Sequence, residues 1–310
     1  MKLSLSSCSL NRFLSDDFSR RDALLTFPES GFHYTDFDVG EALLTDWKEN
    51  ARLSKQWLEE AGVTAAQAHA PCYNPLLMQP AERKLLENSI RFCEAAGITQ
   101  IVVHPGAVDG NTEDEFFERN AAFYRSLLPI FEDCGVKLLV ENIGNYADPY
   151  FLKNGSDLRR MIEMIDSPIV YACWDVGHAN HFYQKDCDQY ESILALGDKL
   201  SAVHVHDNCG YFDDCPQHIR IDMHTMPYAS IFSGVNFDKV LKGLQDIGYQ
   251  GTFNFEATVG NPSVLVEPFV LNGVTYDRVR KPSIRVWKAY NMALYEAGRF
   301  MLSQYGMLEE

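Results

Sequence analysis

The stretch at 167–180, SPIVYACWDVGHAN, decides the fold. Its apolar run reads as a buried strand, and the run ends in Asp175 and His178, three residues apart. Buried strands seldom finish in two titratable side chains without a use for them. Either the pair is a polar strand end meeting water, or it belongs to a site.

Working outward, similar short runs recur along the chain: KLSLSSC (2–8), FHYTDFD (32–38), TAAQAHA (64–70), TQIVVHPG (99–106), VKLLVEN (136–142), LSAVHVHD (200–207) and GTFNFEA (251–257). Amphipathic stretches lie between them. Those at 46–62, 81–97 and 112–135 each end in a glycine where a left-handed C-cap belongs. Those at 156–166 and 236–248 begin with Ser156 and Asn236 in N-cap position. Eight strand candidates separated by helices predict an α/β fold, a single (β/α)8 TIM barrel over residues 1–310. A doubly wound open sheet is the rival, but no GxGxxG turn follows the first strand. The segment at 283–307 reads as a C-terminal helix on the barrel's flank.

Composition agrees. Hydrophobic residues at 46% and charged residues at 23% describe a globular protein with a sizeable core. The N-terminal apolar residues alternate with serines, unlike a signal peptide, and no apolar run approaches the roughly 20 residues that span a bilayer. Eight cysteines without CxxC spacing suit reduced thiols, so the expected location is cytoplasmic, with no membrane partner. With 27 basic and 43 acidic residues the net charge is −16, which repels phosphate backbones and makes nucleic acid a disfavoured partner. A homo-oligomer is the ordinary expectation for such an enzyme.

The opening pair has company. Strand three ends at His69, strand four at His104 and strand five at Glu141; strand seven carries His204, His206 and Asp207, and strand eight ends at Glu256. In a barrel these side chains gather at the C-terminal mouth, where barrel enzymes keep their active sites. A lone histidine near a strand end is usually a hydrogen-bonded rim residue, and a lone Asp is more often an N-cap. That reading does not explain six successive strands ending in imidazole or carboxylate. Crowded carboxylates repel, so a bound cation is the simplest way to stabilise them, and a mixed carboxylate and imidazole set suits Mn²⁺, Zn²⁺, Co²⁺ or Mg²⁺. Asp222 and His224, in the loop at 218–234, add a D-x-H pair of ligand-type side chains on one side of an extended backbone. Cys173 reads as core packing, and Trp174 as packing on the opposite face from Asp175.

With these residues in place, the sequence resembles the xylose isomerase-like TIM-barrel superfamily, which includes sugar isomerases and epimerases, inosose-processing enzymes and endonuclease IV. The resemblance runs from QAHAPCYN to GTFNFEA. It implies one divalent metal held by Glu141, Asp175, His204 and Glu256. His204 and His206 compete for the third place, and the H-x-x-D spacing from His204 to Asp207 favours His204. His206, two residues on, is then left for substrate or a second metal. The fuller ligand set of endonuclease IV, with three zinc ions, also has counterparts: His69, His104, His178, Asp222 and His224. The substrate-binding arginine of the epimerase branch has no clear counterpart at the family's spacing, and Arg220 is a candidate at greater distance.

The resemblance implies a metal-dependent isomerase or epimerase of a small sugar, ketose or polyol-derived substrate. Glu141 and Glu256 would be base and acid beside a metal-bound carbonyl, with His69, His104, His178, His206 and Arg220 available to substrate. Two alternatives stand: a multi-zinc phosphodiesterase resembling endonuclease IV, and a non-catalytic sugar-binding barrel that keeps a metal.

Overall fold

The computed structural model describes residues 1–8, 19–144, 151–181, 187–208, 210, 224–228, 234–257, 269–271, 274–276 and 283–309. The strands are β1 (Lys2–Ser6), β2 (Tyr34–Asp38), β3 (Thr64–His69), β4 (Gln100–Val103), β5 (Lys137–Glu141), β6 (Val170–Asp175), β7 (Leu200–Val205) and β8 (Thr252–Phe255). They pair in sequence order and close by the parallel pairing of β1 with β8, so the predicted barrel is the fold. A separate antiparallel pair, β9 (Phe269–Leu271) and β10 (Val274–Tyr276), follows β8.

The helices are α1 (Arg20–Glu29), α2 (Glu41–Leu44), α3 (Trp47–Ala61), α4 (Pro80–Ala96), α5 (Glu113–Cys134), α6 (Gly155–Ile165), α7 (Val176–Asn180), α8 (Gln189–Leu196), α9 (Phe237–Asp246) and α10 (Ile284–Gln304). The three predicted glycine C-caps are present at Gly62, Gly97 and Gly135, with φ of 65°, 78° and 62°. Asn236 caps α9 as expected. For α6 the cap is Asn154 and not Ser156: the Asn154 side chain accepts from the Asp157 backbone N–H, and the helix starts one residue earlier than the serine. Asn and Ser cap almost equally well, so residue type could not discriminate between them. No helix among the described residues is long and apolar enough to cross a membrane.

Alternation along the strands separates two environments. On β4 and β5, Ile101, Val103, Leu138 and Val140 face the helices and join the main core. Val102, Leu139, Cys173 and Ala202 form a second, small cluster on the opposite face, inside the barrel. Cys173 is therefore interior packing, and Trp174 faces the helices, where its indole N–H donates to Gln189 Oε1 at 3.0 Å. Elsewhere the interior is polar, since Ser4, Asp36, Gln67 and Asn254 are all buried. This polar half lies beneath the residues that end β5 to β8.

The C-terminal helix α10 packs on the flank next to β1 and α1. Gly298 permits the close approach, because a Cβ there would come within 2.7 Å of both Leu3 and Phe255. The six described free cysteines, Cys8, Cys72, Cys93, Cys134, Cys173 and Cys187, are unbridged, in keeping with the reduced-thiol reading.

A candidate metal centre at the barrel mouth

The register of the sheet assembles the site. Glu141 lies opposite Cys173, Asp175 opposite His204, and His204 opposite Asn254, so the ends of β5, β6 and β7 stand at one level. Glu256, just beyond β8, is held level by its backbone N–H donating to Val205 O at 3.0 Å. The ligand-type atoms of Glu141, Asp175, His204 and Glu256 lie within 4.8 Å of one another, and all four residues are buried.

His204 is the hub. Its Nδ1 is 2.9 Å from Glu141 Oε1, 3.1 Å from Glu256 Oε2 and 3.9 Å from Asp175 Oδ2. Its Nε2 faces downward, 2.9 Å from the Gln67 amide and 3.0 Å from Asp36 Oδ2. This leaves Nδ1 as the ring nitrogen turned toward the three carboxylates. His204 is thus the imidazole of the central group, while His206 groups with His178 and His224.

Asp175 combines both readings that the sequence left open. Its Oδ1 accepts from the His178 backbone N–H at 2.6 Å, capping the short helix α7. Its Oδ2 is buried and accepts no hydrogen bond. An orphaned carboxylate oxygen in a pocket shared with two glutamates is expensive, and a divalent cation fits that vacancy in bonding. Asn142, which carried no sequence signal, fixes the strand ends: its side chain donates to Asp175 O and accepts from Asp175 N, both at 2.8 Å.

The electrostatics say the same. Burial opposes charge on Glu141, yet His204 and His104 hold its carboxyl well below the usual range. Glu256 is likewise lowered against burial, chiefly by His204. Burial also disfavours a charged His69, but the hydrogen bond and charge of Glu141, backed by Glu256 and Asp36, push it up to about 9. Without an ion, the carboxylates draw protons onto His69 and His204, whereas burial lowers the pKa of His104.

A pH dependence follows with a definite sign. The folded-state pKa of His69 is raised from 6.5 to about 9, so in the metal-free protein its contribution to stability is complete below pH 6.5 and lost as pH rises through 9. The urea midpoint of the chelated protein is expected to fall across this window, while metal affinity rises as the competing proton leaves. A midpoint that is flat or rising from 6.5 to 9 would contradict the assignment.

Two histidine groups flank the centre. On one side His69 Nε2 is 3.0 Å from His104 Nε2, and the two rings lie 3.4 and 2.8 Å from Glu141 Oε2. On the other, His178, His206 and His224 converge, with the His206 and His224 rings stacked at 3.9 Å. In His69, His178 and His224, Nδ1 lies 2.7, 2.9 and 2.5 Å from the backbone carbonyls of Ala70, Asn142 and Glu256. Each carbonyl occupies Nδ1 and leaves Nε2 as the nitrogen able to ligate, the usual arrangement of a ligating histidine. His206 Nε2 is 3.1 Å from Asp175 Oδ1, which places it between the central group and this flank.

Asp207 has a different use from the histidines beside it. Its backbone pairs reciprocally with Thr225, and its carboxylate accepts backbone N–H groups from Asn208, Tyr228, Gly234 and Val235. It staples the loop that presents His224. Arg220 and Asp222 lie outside the described residues.

Gly177 sits against His206: a Cβ there would fall 2.0 Å from His206 Cε1. Gly177→Ala is expected to drive the His206 ring out of place, lowering stability by about 1–3 kcal/mol as overpacking does. Thermal unfolding with and without divalent metal checks this; a wild-type melting temperature would show that the ring is free to move.

The family model that matches the chain is described as xylose isomerase-like TIM barrel and covers residues 28–268. Among curated proteins, "Uncharacterized protein MJ1311" of Methanocaldococcus jannaschii is 30% identical over 197 residues, 61% of this chain and 62% of that one. "Probable endonuclease 4" of Citrifermentans bemidjiense is 25% identical over 174 residues, 51% of this chain and 61% of that one. The matches therefore span less than two thirds of these relatives' length. Among solved structures, the D-allulose 3-epimerase of a Methylomonas species superposes with TM-score 0.69 at 18% identity, over 97% of this chain and 98% of that one. D-psicose 3-epimerase of Clostridium cellulolyticum H10, solved with D-tagatose, gives TM-score 0.70 at 16% identity, over 97% and 99%. These likenesses show the fold.

Proposed function

Because the chain belongs to the xylose isomerase-like TIM-barrel family, we propose that it is a metal-dependent isomerase or epimerase of a small sugar, ketose or polyol-derived substrate. The observation that carries this reading is the buried group Glu141, Asp175, His204 and Glu256, with Asp175 Oδ2 left without a hydrogen bond. These four would hold the divalent ion, whether Mn, Zn, Co or Mg. When bound, such an ion polarises a substrate carbonyl and neutralises the charge that develops on enolisation.

The rest of the chemistry belongs to the chain. Glu141 on β5 and Glu256 after β8 approach His204 Nδ1 from different strands, at 2.9 and 3.1 Å. A substrate carbon seated between them can lose a proton to one carboxylate and regain one from the other, which inverts or moves the stereocentre next to the carbonyl. Asp175 and His204 hold position, the first through its cap on α7 and the second through Asp36 and Gln67. His178 and His206, beside Asp175, would orient substrate hydroxyls. The sugar 3-epimerases among the superposed structures support the substrate class.

The test is incubation of the protein with a panel of ketoses and inososes in D₂O, with each divalent metal in turn. The expected result is an isomer or epimer carrying one deuterium at the carbon beside the carbonyl. No exchange with any metal and any member of the panel would overturn the reading.

The flanking histidine groups favour a second reading, a multi-zinc phosphodiesterase, to which the endonuclease 4 relatives also point. Elemental analysis separates the two. Metal content unchanged in His224→Ala, with ketose turnover, supports the isomerase; a zinc ion lost in His224→Ala, together with cleavage of a phosphodiester, supports the hydrolase.

A further inference from the structure

We propose that Cys72 is a metal ligand, and that its thiolate, with His69 Nε2 and His104 Nε2, forms a thiophilic, zinc-selecting site beside the central group. Glu141 Oε2 lies beside the two imidazoles, 3.4 Å from His69 Nε2 and 2.8 Å from His104 Nε2. The proposal goes beyond the isomerase reading and does not depend on it.

The placement is a product of the fold. Cys72 lies three residues beyond His69, in the loop that leaves β3. That loop is tied to the one leaving β4: Asn74 Nδ2 donates to Ala107 O at 2.6 Å, and Asn74 Oδ1 accepts from Leu76 N at 3.1 Å. Gly106 permits this closeness, since a Cβ there would lie 2.4 Å from Asn74 Oδ1. The β4 loop is anchored in turn by Asn120, which accepts from Gly106 N and donates to Gly106 O at 2.7 and 2.9 Å. Cys72 and His104 are thus carried on two loops locked into one frame.

In that frame the donor atoms of His69, Cys72 and His104 lie within 4.8 Å of one another. His69 already commits Nδ1 to Ala70 O, so its ligand-bearing nitrogen is Nε2, 3.0 Å from His104 Nε2. Two imidazole nitrogens do not approach so closely, on a shared carboxylate oxygen, for each other's sake; they share a proton or a cation. Cys72 is exposed, whereas the other described cysteines are buried or half-buried. An exposed thiol has no packing reason to be a cysteine, and a thiolate between two imidazoles has a chemical one.

The donor chemistry also divides labour. The central group offers three carboxylates and one imidazole, which suits harder ions; the Cys72 group offers sulfur and two imidazoles, which selects zinc or cobalt over manganese or magnesium.

Cobalt substitution of the full chain tests the proposal, because thiolate ligation produces a charge-transfer band in the near ultraviolet that imidazole and carboxylate do not. The band is expected in the wild type and in Cys173→Ala, which removes the other sulfur near the centre, and absent in Cys72→Ser. Zinc affinity of the second site should fall in Cys72→Ser by more than the roughly 10–100-fold that loss of an outer partner costs. Cys72→His should recover zinc without the band. No band in the wild type, a band surviving in Cys72→Ser, or a band lost instead in Cys173→Ala would each overturn the proposal. Ketose turnover is read separately: a thiolate band without turnover leaves this site standing and removes the isomerase reading, and the reverse outcome does the opposite.

Discussion

Glu256→Gln is expected to keep the barrel and lose turnover. Glu256 stands just past β8, where its carboxylate meets His204 Nδ1 at 3.1 Å and its backbone N–H continues the ladder to Val205. Glutamine keeps the side chain's volume and that backbone bond, so circular dichroism should be unchanged. It cannot accept or return a proton, and loss of general acid–base catalysis typically costs about 10²–10⁴ in rate. The same change weakens the central metal site, because one charged donor is gone. The two contributions separate on titration with metal: if activity returns at saturating metal, Glu256 is a ligand alone. Wild-type kcat at ordinary metal concentration would sink its role altogether.

The second large effect is on stability. Three carboxylates and one imidazole converge in the central group, and Asp175 Oδ2 has no hydrogen bond, so the metal-free fold carries an unbalanced buried cluster. An ion that binds only the folded state stabilises it by RT ln(1 + [L]/Kd), about 4 kcal/mol at a thousandfold excess over Kd. For a domain of this size that corresponds to a melting temperature raised on the order of 5–10 °C. Calorimetry of chelated and metal-loaded protein measures it directly. In Asp175→Ala the shift should shrink to near nothing, because the variant loses a ligand and the cap of α7 together. A wild-type protein indifferent to Mn, Zn, Co and Mg would contradict the whole centre.

Both expectations start from residues that were legible in the chain. Glu141, Asp175, His204 and Glu256 each end an apolar run or lie just beyond it, and strand-end position is a local property that periodicity reveals. The same holds for His69 and His104. Their roles were less legible. Asp207 looked equal to its neighbours, but its carboxylate gathers backbone N–H groups from a loop about twenty to thirty residues away, a contact no spacing rule contains. Asn142 and Gln67 carried no signal, because an amide in an apolar strand reads as an exception until its partner on another strand is known. Asp36 was passed over for the same reason: its partner, His204, comes from the far side of the barrel.

The sequence by itself determined the barrel and the roster of residues at its mouth, since both follow from period-two apolar runs, helix caps and the rule that parallel strands point their C-terminal ends one way. Tertiary structure alone decided how those residues divide. Barrel closure brings β1 beside β8 and sets Asp36 under His204; the register of β6 on β7 puts Asp175 level with His204; two tied loops carry Cys72 to His104. Each of these is a contact between segments distant in the chain, fixed by strand register and loop packing, and local patterns hold no information about which ring nitrogen, which oxygen or which sulfur will meet.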